Sequence, residues 1–210
     1  MNVIKKLIVN RHCVGETIKL MTKSRKCTNT NWTQLDDYIS SLCQLVTSQE
    51  FDTIFPDKSI LRDYPNRIVL SEKNKLLSGK WKSQPFGTQN PPDFIGFEEY
   101  QNYLYIFYIE CKSGKGEKAT WNCSLPVPKP YVLYPYFNKT INKLSLCSGV
   151  NLINTEEYQL LQSVMPLLRE KNSIEHITKN WSLYLRPMWC TLENHPDNTS
   201  EIEEYITTFS

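Results

Sequence analysis

The chain has 210 residues and a formal net charge of only +2, enough for one substantial core but too nearly neutral for charge alone to mark a nucleic-acid binder. No apolar run approaches the roughly 18 residues that a membrane span requires, and the interrupted start Met1-Asn2-Val3-Ile4-Lys5-Lys6 is unlike a signal peptide. The seven cysteines contain no CxxC pair, which removes the usual zinc spacing and fits free thiols in a reducing cytosol.

Charge is unevenly spread. Lys5, Lys6, Arg11, Lys19, Lys23, Arg25 and Lys26 stand against Glu16 alone, whereas Glu193, Asp197, Glu201, Glu203 and Glu204 crowd the last stretch. One positive side suits a phosphate backbone; two ordinary solvated surfaces explain the pattern equally well.

In chain order, Leu35, Tyr38, Ile39, Leu42, Leu45 and Val46 recur at three- and four-residue spacing, predicting one amphipathic helix over 32–51 with Thr30 or Asn31 as its cap. Residues 67–76 hold a short extended or helical piece, and 83–92, rich in proline, form a loop. Residues 93–97 and 103–112 read as the strands of a hairpin joined by a polar turn at 98–102. A mobile glycine-and-lysine loop spans 113–118. Residues 131–137 form another strand, which Pro135 obliges to bend or to lie at an edge. Asn154 and Glu157 make a capping box for a helix whose apolar face is Leu160, Leu161, Val164 and Leu168, kinked at Pro166. A late strand falls at 182–190, and the acidic segment after Asn198 forms a short helix. The order predicts an α/β fold of mixed α+β character, with a central mixed sheet flanked by helices, in a single domain over 1–210.

The chemistry concentrates at Pro92-Asp93 and, one hairpin later, Glu110-Cys111-Lys112. Residues two apart on a strand share a face, so Glu110 and Lys112 point together and Cys111 points away. Leu104, Ile106 and Tyr108 precede them on one face; Tyr103, Tyr105, Phe107 and Ile109 lie on the other. Both faces are apolar, as for a central strand covered on both sides. Charges converging at its end need a partner to offset their desolvation. Magnesium is such a partner, with Asp93 and Glu110 as carboxylate ligands and the Cys111 carbonyl as a further oxygen. Lys112 is then placed to stabilise negative charge on a phosphoryl transition state and to orient or deprotonate the attacking water.

The flanking sequence narrows this. Gln84-Pro85-Phe86-Gly87-Thr88-Gln89-Asn90-Pro91-Pro92-Asp93-Phe94, then Ile109-Glu110-Cys111-Lys112-Ser113, then Trp121-Asn122-Cys123-Ser124-Leu125-Pro126 resemble the PD-(D/E)XK restriction endonucleases. The likeness is strongest to type II enzymes with a QP-x-G-(S/T)-Q-x-x-PDF stretch and a later W-N-x-x-x-P segment, and it covers about 84–137. It implies a restriction-endonuclease-like fold and a type II site-specific deoxyribonuclease. Such an enzyme hydrolyses phosphodiester bonds of double-stranded DNA with Mg2+, leaves a 5′-phosphate, and acts in the cytoplasm as a homodimer beside a cognate DNA methyltransferase. Cys111 departs from the usual aliphatic residue at its position.

Around this core, Gln89, Ser113, Lys115, Lys118 and Asn122 are candidate DNA contacts. The lysines suit phosphates and the asparagine suits an adenine edge. Trp121 is expected in the core. Asp36, Asp37 and Glu50 are candidates for an extra acidic ligand from an N-terminal helix, with an exposed helix acid as the default for each. His12, His176 and His195 form no HNH pattern. The same catalytic set also suits a repair, junction-resolving or mobile-element nuclease, or a DNA-binding module that has lost catalysis.

Overall fold

The computed structural model describes residues 2–24, 34–88, 90–116, 119, 121, 125–174 and 197–209. These build a mixed α+β fold around a seven-stranded mixed sheet. Seven α-helices are described: α1 (Asn2–Asn10), α2 (Val14–Ser24), α3 (Gln34–Leu42), α4 (Ser48–Ile54), α5 (Ser59–Arg62), α6 (Thr155–Ile174) and α7 (Thr199–Thr207). The strands are β1 (Arg67–Val69), β2 (Trp81–Ser83), β3 (Phe94–Tyr100), β4 (Tyr103–Ile109), β5 (Lys112–Gly114), β6 (Val132–Asn138) and β7 (Lys143–Ser148). No helix among the described residues is long and apolar enough to cross a membrane.

β4 lies at the centre. It pairs antiparallel with β3 along its whole length, with β1 at its start, and parallel with β6 at its end. Its apolar character on both faces matches burial on both: Leu104, Ile106 and Tyr108 on one side, Tyr105, Phe107 and Ile109 on the other. The Tyr108 face meets Tyr64 and Tyr131, while Tyr105 and Phe107 meet Phe209 just beyond α7. The hairpin is tighter than the polar residues suggested. β3 continues through Glu98 and Glu99 to Tyr100, and the turn is Gln101–Asn102, with Gln101 at φ 55°.

The expected single strand over 103–112 is broken. β4 pairs with β6 as Ile109↔Leu133, and β5 resumes with the same offset as Lys112↔Tyr136. That offset sets Pro135 opposite Cys111. A proline has no N–H to give the parallel ladder, so the ladder loses the bond that residue 135 would give to the Glu110 carbonyl, although Glu110 N–H still donates to the Leu133 carbonyl at 3.0 Å. The expectation that Pro135 puts its strand at an edge is thereby corrected. β6 is buried throughout and central, with β4 and β5 on one side and β7 on the other.

The helix expected over 32–51 is two helices from residue 34 onward, while 30–33, with the expected caps Thr30 and Asn31, lie outside the described residues. After α3, residues 44–46 run along β2: Trp81 N–H donates to the Gln44 carbonyl and Val46 N–H to the Trp81 carbonyl, each at 2.9 Å. Thr47 then restarts the chain with a capping box, its hydroxyl accepting from Glu50 N–H while Glu50 accepts from Thr47 N–H at 2.9 Å. Sheet hydrogen bonds and a strong cap override a continuous apolar periodicity.

The Asn154–Glu157 capping box forms as expected, and so does the short helix after Asn198. The apolar positions of α6 differ: Leu160, Leu161 and Val164 are exposed, because they do not face the sheet. Of the loop expected over 113–118, residues 117 and 118 lie outside the described residues and the rest is tied to the sheet. Ser113 and Gly114 belong to β5, and the Gly116 carbonyl accepts from Tyr136 Oη and Asn138 Nδ2. The strand expected at 182–190 lies outside the described residues. Two amphipathic helices at the N-terminus and β7 complete the core without having been anticipated. Val3, Ile4, Leu7 and Ile8 of α1 are buried, and Gly15 of α2 presses on Asn142 at the β6–β7 turn.

Candidate active site

The loop before β3 delivers Asp93. Gln84, in a left-handed conformation at φ 45°, donates its N–H to the Asp93 carbonyl at 2.6 Å, and the Pro91–Pro92 peptide bond is cis. Asp93 is one residue ahead of the Phe94↔Ile109 pair, which brings it level with Glu110 across the hairpin. Its Oδ2 accepts from Cys111 N–H at 2.6 Å. Cys111 N–H points towards β3, opposite to the Glu110 N–H that donates to the Leu133 carbonyl, and β3 begins only at Phe94, so the amide is available to a side chain.

Glu110 and Lys112 do share a face, as strand alternation requires. Lys112 Nζ donates to Glu110 Oε1 at 2.7 Å, with both side chains about six-sevenths buried. The ammonium also lies 4.9 Å from the centroid of the Trp121 ring, which attracts a cation electrostatically. Trp121 is in the core as expected, packed edge-on against Tyr134; its contact with Lys112 was not legible in the sequence. Glu110 Oε2 is buried and finds no hydrogen-bond partner among the described residues. An ionised oxygen in that position is costly unless a cation or donor joins it.

On the other side of the sheet the structure corrects the sequence. Cys111 was expected to face away from the acidic centre. Its Sγ instead forms a group with Asp36 and Asp93 whose ligand atoms all lie within 4.8 Å of one another. Tyr105 and Phe107, on the Cys111 face, pack against Tyr205 and Phe209 at the C-terminus, and α3 brings Asp36 to Cys111. The exposed-acid default therefore fails for Asp36, which is half-buried. It holds for Glu50, which caps α4 from an exposed position. Asp37 joins Asp36, Ser40, Ser83, Gln84 and Asp93 around a hollow of about 200 Å³. Among the described residues the grouped donor set is thus Asp36–Asp93–Cys111, and the charge of Glu110 acts on Asp93.

Electrostatics tie the two sides together. Burial, then the charges of Glu110 and Asp36, push the Asp93 carboxyl up to about 8, against the smaller opposing effects of Cys111 N–H and Lys112. Burial pushes the Cys111 thiol well above its ordinary range, with Asp36 and Asp93 adding to the shift. The sulfur is therefore a neutral S–H near the carboxylates, a poor ligand for a hard cation. Asp36, Asp93 and Glu110 are the carboxylates here that could hold a divalent ion.

Among the DNA-contact candidates, Ser113 is half-buried, its Oγ with no hydrogen-bond partner among the described residues. Lys115 is exposed next to it, its carbonyl held by Thr140 Oγ1 at 2.6 Å. Gln89, Lys118 and Asn122 lie outside the described residues. On the Glu110 face a cavity of about 420 Å³ opens, its apolar wall including Pro92, Leu125, Val127, Val132 and Met165. No protein-family model, curated protein or solved structure matches the chain.

Proposed function

We propose that this chain is a magnesium-dependent endonuclease of the PD-(D/E)XK type, a type II site-specific deoxyribonuclease with a restriction-endonuclease-like fold. The observation that carries the proposal is Asp93 bonded to the Cys111 amide between Glu110 and Lys112, which pair with each other, with Glu110 Oε2 buried and unpartnered among the described residues. An orphaned carboxylate oxygen beside an aspartate whose ionisation is opposed is what a resident divalent cation would resolve. The donor set is hard oxygen, which fits magnesium.

In this reading Asp93 and Glu110 hold the ion, with the Cys111 carbonyl as a backbone ligand and Asp36 as a further carboxylate. Magnesium, when bound, would neutralise charge at the scissile phosphate and make a neighbouring water more acidic. Lys112 donates to the non-bridging oxygens as negative charge builds on phosphorus, held in line by Glu110 and the Trp121 ring. Water attacks phosphorus opposite the 3′ oxygen, the P–O3′ bond breaks, and the products are a 5′-phosphate and a 3′-hydroxyl. Double-stranded DNA is the substrate, approached along Ser113 and Lys115 with Gln89, Lys118 and Asn122 as further contacts. A homodimer would cut both strands, and a cognate methyltransferase would protect the host.

The test is digestion of long duplex DNA with purified protein and magnesium, followed by end mapping. Discrete fragments that disappear with EDTA and with Asp93→Ala support the proposal. Intact DNA, or cutting that survives Asp93→Ala, ends it.

A further inference from the structure

The cavity on the Glu110 face has features that phosphodiester hydrolysis alone does not use. Its volume, about 420 Å³, falls in the roughly 300–1,000 Å³ range of pockets that enclose a small organic group. Prolines and aliphatic side chains line part of it, and Tyr64, Tyr134 and Tyr158 add three rings to the lining. Arg62, Glu110, Gln162 and the tyrosine hydroxyls supply polar groups. Gln162 Nε2 donates to Tyr158 Oη at 2.7 Å, which leaves the tyrosine hydroxyl hydrogen and the glutamine carbonyl and second N–H for another partner. Arg62 also lines the cavity and stacks over Phe86, with its guanidinium carbon 4.4 Å from the ring centroid. Glu110 is part of the wall, so whatever fills the cavity sits next to the proposed metal.

We infer that this cavity receives one nucleobase, drawn out of the duplex stack beside the phosphate that is cut. The inference rests on the nuclease reading above. A planar heterocycle fits aromatic and proline surfaces, its edge pairs with the Gln162–Tyr158 couple, and its own phosphate lies within reach of Arg62. A base still stacked in a duplex cannot enter a recess of this kind, so the nucleotide must leave the stack. Duplex flexibility or mismatch at that step would then favour cleavage.

The experiment uses the full chain and duplexes carrying a single 2-aminopurine at each position flanking the mapped cut, with calcium in place of magnesium. Emission is expected to rise several-fold at one flanking position. Tyr158→Ala removes a stacking surface and should weaken capture of an unstacked base roughly five- to a hundred-and-fifty-fold, and Gln162→Ala should lower the emission gain. Both positions are on a partly exposed helix face, and circular dichroism verifies that each variant folds. Emission unchanged at every flanking position, in a protein that still cuts in magnesium, overturns the inference and leaves the nuclease reading intact. A protein that neither binds nor cuts duplex DNA overturns both.

Discussion

Lys112 Nζ donates to Glu110 Oε1 at 2.7 Å from two residues further along one strand face, and the Trp121 ring closes over the same ammonium. The lysine therefore has a fixed position before any substrate arrives. Under the proposed mechanism Lys112→Ala removes a donor used in the transition state, which lowers single-turnover cleavage about 100- to 1,000-fold with little change in DNA affinity. Trp121→Leu leaves the charge in place but loosens it, and should fall between wild type and Lys112→Ala. Equal loss in both would mean that Trp121 acts only through folding, which a thermal melt would reveal.

The pH dependence of stability has a definite sign. In the folded, metal-free chain the Asp93 carboxyl is raised from 3.8 to about 8. The folded chain thus keeps a proton that the unfolded chain has released across that window. Stability from this group is complete below about pH 4 and is lost as pH rises through about 8. Melting temperature in EDTA should accordingly decline from pH 5 to pH 8, roughly the span of that window, and Asp93→Asn should flatten the decline. Magnesium binds the deprotonated carboxyl, so its stabilising effect should grow over the same range. A metal-free melting temperature that climbs with pH in wild type but not in Asp93→Asn would contradict the assignment.

Much of this centre was legible because strand alternation is local. Two residues apart means one face, and Glu110 with Lys112 obeyed it. The hairpin followed from apolar runs on either side of a polar turn. What escaped was set by non-local partners. Pro135 interrupts a ladder that its own segment does not reveal, and the Cys111 amide is open to Asp93 on the other side because β3 begins only at Phe94. Asp36 meets Cys111 because α3 stops at Leu42 and residues 44–46 join the sheet. An unbroken amphipathic pattern gives no sign of that break. Thr47 and Glu50 did carry a signal, the T-x-x-E capping box, which marks the start of α4 inside the apolar run.

Asp36 and Glu50 separate two roles that look alike in sequence. Asp36 belongs to the cluster with Asp93, so Asp36→Asn should weaken the magnesium dependence of cleavage about 10- to 100-fold, the range for residues that support a metal site. Glu50 bonds back to Thr47, and those bonds hold its carboxyl below the ordinary range. Glu50→Gln should leave the magnesium titration of cleavage unaltered. A shift in that titration for Glu50→Gln, with none for Asp36→Asn, would reverse the assignment.

Gly96 of β3 has no room for a side chain. A Cβ there would meet three atoms of the Trp81 ring at 2.5–2.6 Å, and Trp81 is fully buried as the cross-strand partner of Gly96 on β2. Gly96→Ala must therefore move the indole or the strand, at a cost of about 1–3 kcal/mol. For a chain of this size that is a drop of roughly 2–4 °C in melting temperature per kcal/mol. β3 also starts at Phe94, directly after Asp93, so a strand displaced by Trp81 carries the aspartate with it. Cleavage by Gly96→Ala should then fall more than the lost stability explains at a temperature where the protein is folded. Pairing it with Trp81→Leu, which empties the space the new methyl needs, should restore cleavage more than it restores stability. Full activity in folded Gly96→Ala would show that the indole, and not β3, gives way.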